Sequence, residues 1–545
     1  MHRVAAIVLL SGALLLGFAQ VAQLPPWEGF DEPGHYSYIQ QLAETGTWPR
    51  FGDPISADVD DYLKIAPGAS SLRAPWSYRE FFAASRETIE AARIAVHFDR
   101  DRGRSWRAGQ IANWQAQQPP LYYLLMVPAY LVSNGWSLAD QLLLLRGLSY
   151  FIAWLGLCVA AYSMCAKEHA AFPVPSALIL APALWPAVFP MWFPEMARLG
   201  NDSLVALLAA CAWLIVKKLA TSDGRDGQHL ILGGVLGLGL LTKATFLPFV
   251  IVISGLLSVR IWQVRGNAPL ARRRVRGLLG CFAVVTIVAG WWYLQKFLET
   301  GSAIGSDSAI RLNEAGGLIE GLRQNASIYT LARLPWLFES TFLWAGTWSL
   351  VRPPFASLIP LVLIPPLLTL GYVWSVKTRP LNMLDWVAPS TMILFLVALC
   401  YHSLILIALG TPGAPAWYLH SFAPILAPLL AYGLAGIIAA RGWRPIVSVL
   451  VFYPMVFLLL AVGMQGLFFA GCGGPKEPNS SFYDASSASS CATHLAVIHD
   501  NLSVISFPQL TAVCFAGGWI LMMFGIATAV RRMRGEAISD PGRAL

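Results

Sequence analysis

The chain has 545 residues, 56 % of them hydrophobic and only 12 % charged, with 21 tryptophans and a mean hydropathy of +0.57. Soluble domains carry about a quarter charged residues, so this composition excludes a soluble enzyme and describes a polytopic, all-α integral membrane protein. The net charge of +8 is no nucleic-acid signal, because the basic residues gather in short loops between apolar runs, where they set orientation.

Residues 4–22, behind Arg3, form the first apolar run, and the domain reading takes 1–22 as a retained first span entering from the cytoplasm. Gly17-Phe18-Ala19 is a weak candidate for signal cleavage. Residues 23–138 then form a large first external loop carrying interfacial helices. Its opening stretch, PPWEGFDEPGHYSYIQQLAETGTWP over residues 25–49, puts Asp31, Glu32 and His35 within a few residues of a membrane surface. Adjacent carboxylates, a turn-forming Pro33-Gly34 and an aromatic helix start pack poorly, but they suit an acid/base site at the lipid–water boundary. An ordinary acidic loop leaving a span is the competing reading. Residues 78–98 have helical periodicity and are expected to lie along the membrane or cap the site.

The run from 119 to 132 resembles a second span but is short and contains Pro128. A hydrocarbon core needs about 20 residues. If the run crossed, every later basic loop would land outside; read as interfacial, it sends them inside. Spans then fall at 139–164, 172–193, 202–219, 230–242, 246–262 and 277–296 (together the domain 139–296), at 355–376, 386–409, 418–439 and 445–469 (the domain 355–469), and at 510–530 in a final segment 509–545. Lys167, Lys217, Lys218, Arg225, Arg260, Arg265, the 272–276 arginine cluster, Lys377, Arg379, Arg441, Arg444 and the tail Arg531, Arg532 and Arg534 all become cytoplasmic. The expectation is about 12 spans with both termini inside, 230–242 and 246–262 forming a bent hairpin.

The same topology gathers polar features outside: Arg198, Asn201 and Asp202; Lys243; the loop 297–354 with Arg333; residues 411–420; and the loop 470–508. Most cysteines lie in or beside apolar runs and show no metal spacing. Cys472 and Cys491, beside Gly473, Gly474 and a serine-rich stretch, are expected to form a structural disulfide on the oxidising face. Each remaining residue has a bland reading: Lys243 snorkelling to the interface, Asn201 or Asp202 capping a helix, Arg333 and His420 anchoring in an aromatic belt.

Asp31-Glu32-Pro33-Gly34-His35-Tyr36 after a first span, Gln118-Pro119-Pro120-Leu121-Tyr122-Tyr123 closing the first loop, Asn201-Asp202 opening a span and Leu241-Thr242-Lys243 occur in order. That arrangement resembles the GT-C superfamily of polytopic glycosyltransferases, which includes the aminoarabinose and protein O-mannosyl transferases. It is nearest to a bacterial branch with a D-E-P-x-H motif. The resemblance covers residues 1–260 and, further on, Trp417-Tyr418-Leu419; Gln118 stands where a histidine or lysine is usual, and Trp417 where arginine is frequent.

The resemblance implies transfer of a sugar from a polyprenyl-phosphate carrier to a hydroxyl of an envelope glycan, lipid or protein, at the outer face of a bacterial inner membrane. It implies Asp31 as the base, Glu32 or His35 tuning it, and Lys243, Arg198 or Arg333 stabilising the departing phosphate. Gln118, Tyr122, Asn201, Asp202, Trp417, Tyr418 and His420 would bind substrate. No metal is expected to be required, although Asp31, Glu32 and Asp202 leave a divalent cation open. A lipid-linked oligosaccharide polymerase or ligase, a flippase of lipid-linked sugars and a membrane scaffold are the other classes. A transporter predicts matched, broken-helix halves, which the sequence does not display.

Overall fold

The computed structural model describes residues 2–69, 72, 74–100, 105–165, 176–221, 226–302, 304–305, 307–351, 353–378, 382–411, 413–440, 444–473 and 494–539. Cys491, Gly474, the serine-rich stretch and Lys167, Arg225, Arg379 and Arg441 lie outside the described residues.

In chain order, the first part comprises α1 (His2–Gln23), α2 (Glu32–Thr45), β1 (Pro54–Ser56), α3 (Ala57–Ile65), α4 (Tyr78–Phe82), α5 (Arg86–His97), β2 (Ala108–Ala112) and α6 (Leu121–Val132). The bundle continues with α7 (Leu138–Cys165), α8 (Ser176–Val188), α9 (Trp192–Ala197), α10 (Asp202–Thr221), α11 (Asp226–Leu240), α12 (Leu247–Gln263), α13 (Ala268–Val285) and α14 (Trp291–Thr300). Short helices α15 (Asp307–Glu314), α16 (Leu318–Asn325), α17 (Ile328–Ala332) and α18 (Leu334–Leu343) follow. The chain closes with α19 (Phe355–Val362), α20 (Ile364–Thr378), α21 (Val387–Ala408), α22 (Ala423–Ala439), α23 (Arg444–Phe469), α24 (Leu495–Ile505) and α25 (Pro508–Ser539).

Among the described residues, 10 helical stretches are long and apolar enough to cross a membrane, which makes this an all-α, multi-pass membrane protein. The expectation of about 12 counted α8 and α11 as well; both occur, but as shorter apolar helices. α8 continues through Pro182 and Pro186 and breaks near Pro190 before helix resumes as α9; residues 166–175 ahead of it lie outside the described residues.

Several local choices shape the end of the bundle that carries the site. The amphipathic run 78–98 forms two helices because Ser77 caps α4 in a reciprocal box with Glu80 and Ser85 caps α5 through Thr88. At 12 residues α6 is about 18 Å long, too short for a hydrocarbon core. α11 stops at Leu240, Lys243 is extended (φ −161°, ψ 136°), and the chain re-enters helix through a 3₁₀ turn at Ala244–Phe246. Pro248 therefore sits in the first turn of α12, where it bends nothing.

α1 and α25 pack along their length. A Cβ on Gly12 would lie 2.8 Å from the Met522 nitrogen, and one on Gly518 would lie 2.7 Å from that of Leu16. Small residues thus let these two backbones touch. The main apolar core spans α1, α7, α8, α10, α22 and α23. A second core, rich in Trp27, Tyr36, Tyr38, Tyr122, Tyr123 and Tyr130, seats the first loop on the bundle, and β1 pairs antiparallel with β2 to close that loop. A third, small cluster joins Phe30, Met191 and Trp344, with Trp348, Leu350 and Trp417 against it.

Candidate functional site

The loop after α1 turns into α2 at Asp31, whose backbone is left-handed (φ 61°, ψ 3°). Pro33 fits the first turn of α2, where no N–H is needed. Gly34 lies so close to the segment before α6 that a Cβ would stand 2.8 Å from Gln115 Cγ. Steric clearance thus explains the Pro-Gly step. Asp31 itself is half-buried, and its Oδ1 accepts from the Trp114 indole N–H at 2.8 Å.

Glu32 takes a different course. It is fully buried, and its oxygens accept from Arg146 Nε at 2.6 Å and Nη2 at 2.5 Å, as well as from the Trp27 and Leu199 backbone N–H groups at 3.2 Å. Arg146 also donates to the Leu24 and Pro25 carbonyls. His35 lies beneath, with Nδ1 2.9 Å from the Tyr123 hydroxyl. Burial, reinforced by Arg198 and Lys243, holds its imidazole well below the usual histidine range, so the ring is neutral.

A second ionic group abuts this turn. Arg198, 1 % exposed, donates to both oxygens of Glu195 at 3.1 and 2.5 Å, to Asp202 Oδ2 at 2.7 Å and to the Phe30 carbonyl at 2.9 Å. Lys243 Nζ bridges both Asp202 oxygens at 2.8 and 2.7 Å and stands 4.1 Å over the Tyr418 ring. Ser421 donates to Asp202 at 2.8 Å. Two carboxylates face two cations, as charges so far from water require. Burial raises the Glu195 carboxyl, with Arg198 opposing. Asn201 donates to Gln118 Oε1 and the Thr242 carbonyl, and its own buried Oδ1 has no hydrogen-bond partner.

The structure therefore brings Asp31, Glu32, His35, Gln118, Tyr122, Asn201, Asp202, Arg198, Lys243, Trp417 and Tyr418 to one end of the bundle. Tyr122 is sealed in, its hydroxyl accepting from the Gly200 N–H at 3.1 Å. Two further residues go elsewhere. His420 is stacked on Phe342 (4.6 Å) and bonded to the Phe342 carbonyl and the Trp185 indole. Arg333 is exposed and lies over Tyr329. Cys472 is disulfide-bonded and buried after α23. Among the described residues no group of three or more His, Cys, Asp or Glu is arranged to hold a metal ion.

Sequence reasoning missed Arg146, Glu195, Trp114, Ser421 and Glu28. For Arg146 a signal existed, since an arginine inside an apolar helix needs an internal partner. Glu28 is buried with no cation paired to it among the described residues. Its Oε1 accepts from Tyr78 and Ser349 hydroxyls at 2.7 Å each, and its Oε2 from Thr347 at 3.1 Å and the Ser349 N–H at 3.2 Å.

No protein-family model matches the chain, and no curated protein matches it. Solved structures with partial likeness include ArnT from Cupriavidus metallidurans bound to undecaprenyl phosphate, at 14 % identity and a TM-score of 0.42, covering 98 % of this chain and 79 % of that one. An apo oligosaccharyltransferase from Archaeoglobus fulgidus is 13 % identical with a TM-score of 0.38, covering 87 % of this chain and 56 % of its own. The oligosaccharyltransferase AglB of the same organism, in complex with an inhibitory peptide and a dolichol-phosphate, is 12 % identical with a TM-score of 0.37, covering 84 % of this chain and 56 % of its own.

Proposed function

We propose that the chain is a GT-C-type glycosyltransferase that moves a sugar from a polyprenyl-phosphate carrier to an acceptor hydroxyl, with inversion, at the outer face of a bacterial inner membrane. The observation that carries this reading is Asp31: a half-exposed carboxylate in strained backbone, above a buried layer in which Glu32, Glu195 and Asp202 are tied to cations. Asp31 takes the acceptor proton as the acceptor oxygen attacks the anomeric carbon. The bond from that carbon to the phosphate oxygen breaks, and its electron pair leaves with the lipid phosphate.

Lys243 is the cation for that phosphate, because its ammonium bonds Asp202 rather than backbone carbonyls and stands over the Tyr418 face. Arg198 is committed to Glu195, Asp202 and the Phe30 carbonyl, so it positions the Asp31 loop. Glu32 is likewise a positioning residue, through Arg146. A divalent cation is not needed in this scheme. The test is radiolabelled polyprenyl-phosphate sugar supplied to purified protein in detergent. A transferase consumes it there, whereas a flippase requires a sealed membrane and leaves the bond intact; a labelled product larger by a whole glycan marks a polymerase or ligase instead.

A further inference from the structure

From the rim of this site we infer that the acceptor is itself a carbohydrate, seated on a shelf made by Trp114, Trp348 and Trp417. The inference rests on the transferase reading for the word acceptor; the shelf stands on its own geometry.

The charged layer offers an acceptor little surface: Glu32, Arg198, Asp202 and Lys243 are all 5 % exposed or less. What remains half-exposed beside Asp31 is aromatic. Trp114, which holds the carboxylate, is stacked on Trp348 (5.7 Å, 21°). Phe30, next to Asp31, is stacked on Trp417 (4.8 Å, 11°). An acceptor approaching Asp31 therefore meets indole rings. These offer wide, flat, electron-rich faces suited to the C–H face of a pyranose. The Trp417 indole N–H is buried and has no partner among the described residues, so it is a donor waiting for an oxygen. Half-exposed Gln118 adds an amide at the same rim.

The shelf is also built rigidly. Thr347 and Ser349, on either side of Trp348, both bond to the buried Glu28 carboxyl, and the Trp348 N–H donates to the Glu28 carbonyl at 3.1 Å. Burying a carboxyl is unfavourable unless it is hydrogen-bonded, and here its hydrogen bonds fix the backbone that presents the half-exposed Trp348 indole. Among the described residues, the non-glycine positions with positive φ are Trp27 (69°), Asp31 (61°) and Leu350 (55°), all in the two loops that frame the shelf. Strain concentrated in this way marks preorganisation for a ligand.

A lipid tail is a poor fit to a surface with a carboxylate at its centre. A peptide, which needs backbone donors and acceptors, meets rings instead. Saturation-transfer NMR on the full chain in nanodiscs tests the inference, with methyl pyranosides and their disaccharides as probes and a hydroxyl-bearing peptide panel alongside. Transfer to ring C–H protons of some saccharides is expected, falling at least about fivefold in Trp348→Ala and partly restored in Trp348→Phe. Trp262→Ala, at an exposed helix end, should leave the signal intact. Equal transfer in wild type and Trp348→Ala, transfer from peptides alone, or no saccharide signal each overturns the shelf. Donor cleavage is read separately. Saccharide binding through Trp348 without donor consumption keeps the shelf and removes the transferase. Donor consumption with Trp348-independent sugar contacts does the reverse.

Discussion

Arg146 grips Glu32 with two nitrogens, at 2.6 and 2.5 Å, where neither side chain is more than 3 % exposed. Removing one member strands a buried charge, which is destabilising by about 3–5 kcal/mol. Glu32→Gln or Arg146→Met should therefore lower the thermal midpoint of the purified protein sharply, with the double variant recovering part of the loss. A Glu32→Gln protein as stable as wild type but inactive would move the base from Asp31 to Glu32.

Asp31→Asn preserves size and polarity and keeps an acceptor for the Trp114 indole. The protein should insert and bind its lipid donor, while transfer falls about 10²-fold or more, the scale of a general base. Lys243→Met should weaken donor binding as well as turnover, since the cation faces phosphate before and during bond breaking. Near-normal transfer by both variants, in well-folded protein, ends the glycosyltransferase reading.

Glu28 sets a pH dependence of the fold. Burial raises its carboxyl above 4.5, with the Ser349, Tyr78 and Thr347 hydrogen bonds opposing. The unfolded chain loses this proton near 4.5 and the folded chain only at higher pH, so the folded state binds more protons in between. Stability is then greatest below that window and declines as pH rises through the folded-state value. Glu28→Gln should flatten this component of the midpoint-against-pH profile. Parallel profiles for the two proteins would show that Glu28 does not titrate.

Cys472 and Cys491 are proposed to pair. Neither should react with thiol reagents in intact cells until reductant is added, and replacing both should loosen the last loop while sparing donor binding. Labelling of either thiol without reductant rules the bridge out.

Orientation can be checked at two loops. Position 136, following α6, should be accessible from outside, and position 268, at the start of α13, from the cytoplasm. A cytoplasmic signal at 136 would make α6 a crossing and invert the downstream map.

How far the site is legible in the sequence depends on how far apart its parts are. Asp31, Glu32 and His35 occupy one helix start, so their proximity follows from local chemistry, and Asn201-Asp202 and Lys243 stand out as polar residues in apolar surroundings. Glu28 does not stand out, because its hydroxyl partners are scattered: Tyr78 lies 50 residues downstream, and Thr347 and Ser349 lie 319 and 321 residues downstream on a loop with no pattern of its own. The distinct fates of neighbouring Asp31 and Glu32 are equally hidden, since they depend on Arg146, reached only once α7 packs against the loop. The span map follows from hydropathy, while the break between α8 and α9 follows from Pro190.

The contact between α1 and α25 has a consequence for how the protein is made. The loop bearing Asp31 hangs from the end of α1, and α1 finds its long glycine-faced neighbour in α25, which is synthesised long after it. Until residue 508 and those beyond it have entered the membrane, the first helix waits with that face against lipid. A chain lacking α25 would thus leave the helix that carries the Asp31 loop without the neighbour it packs on most extensively.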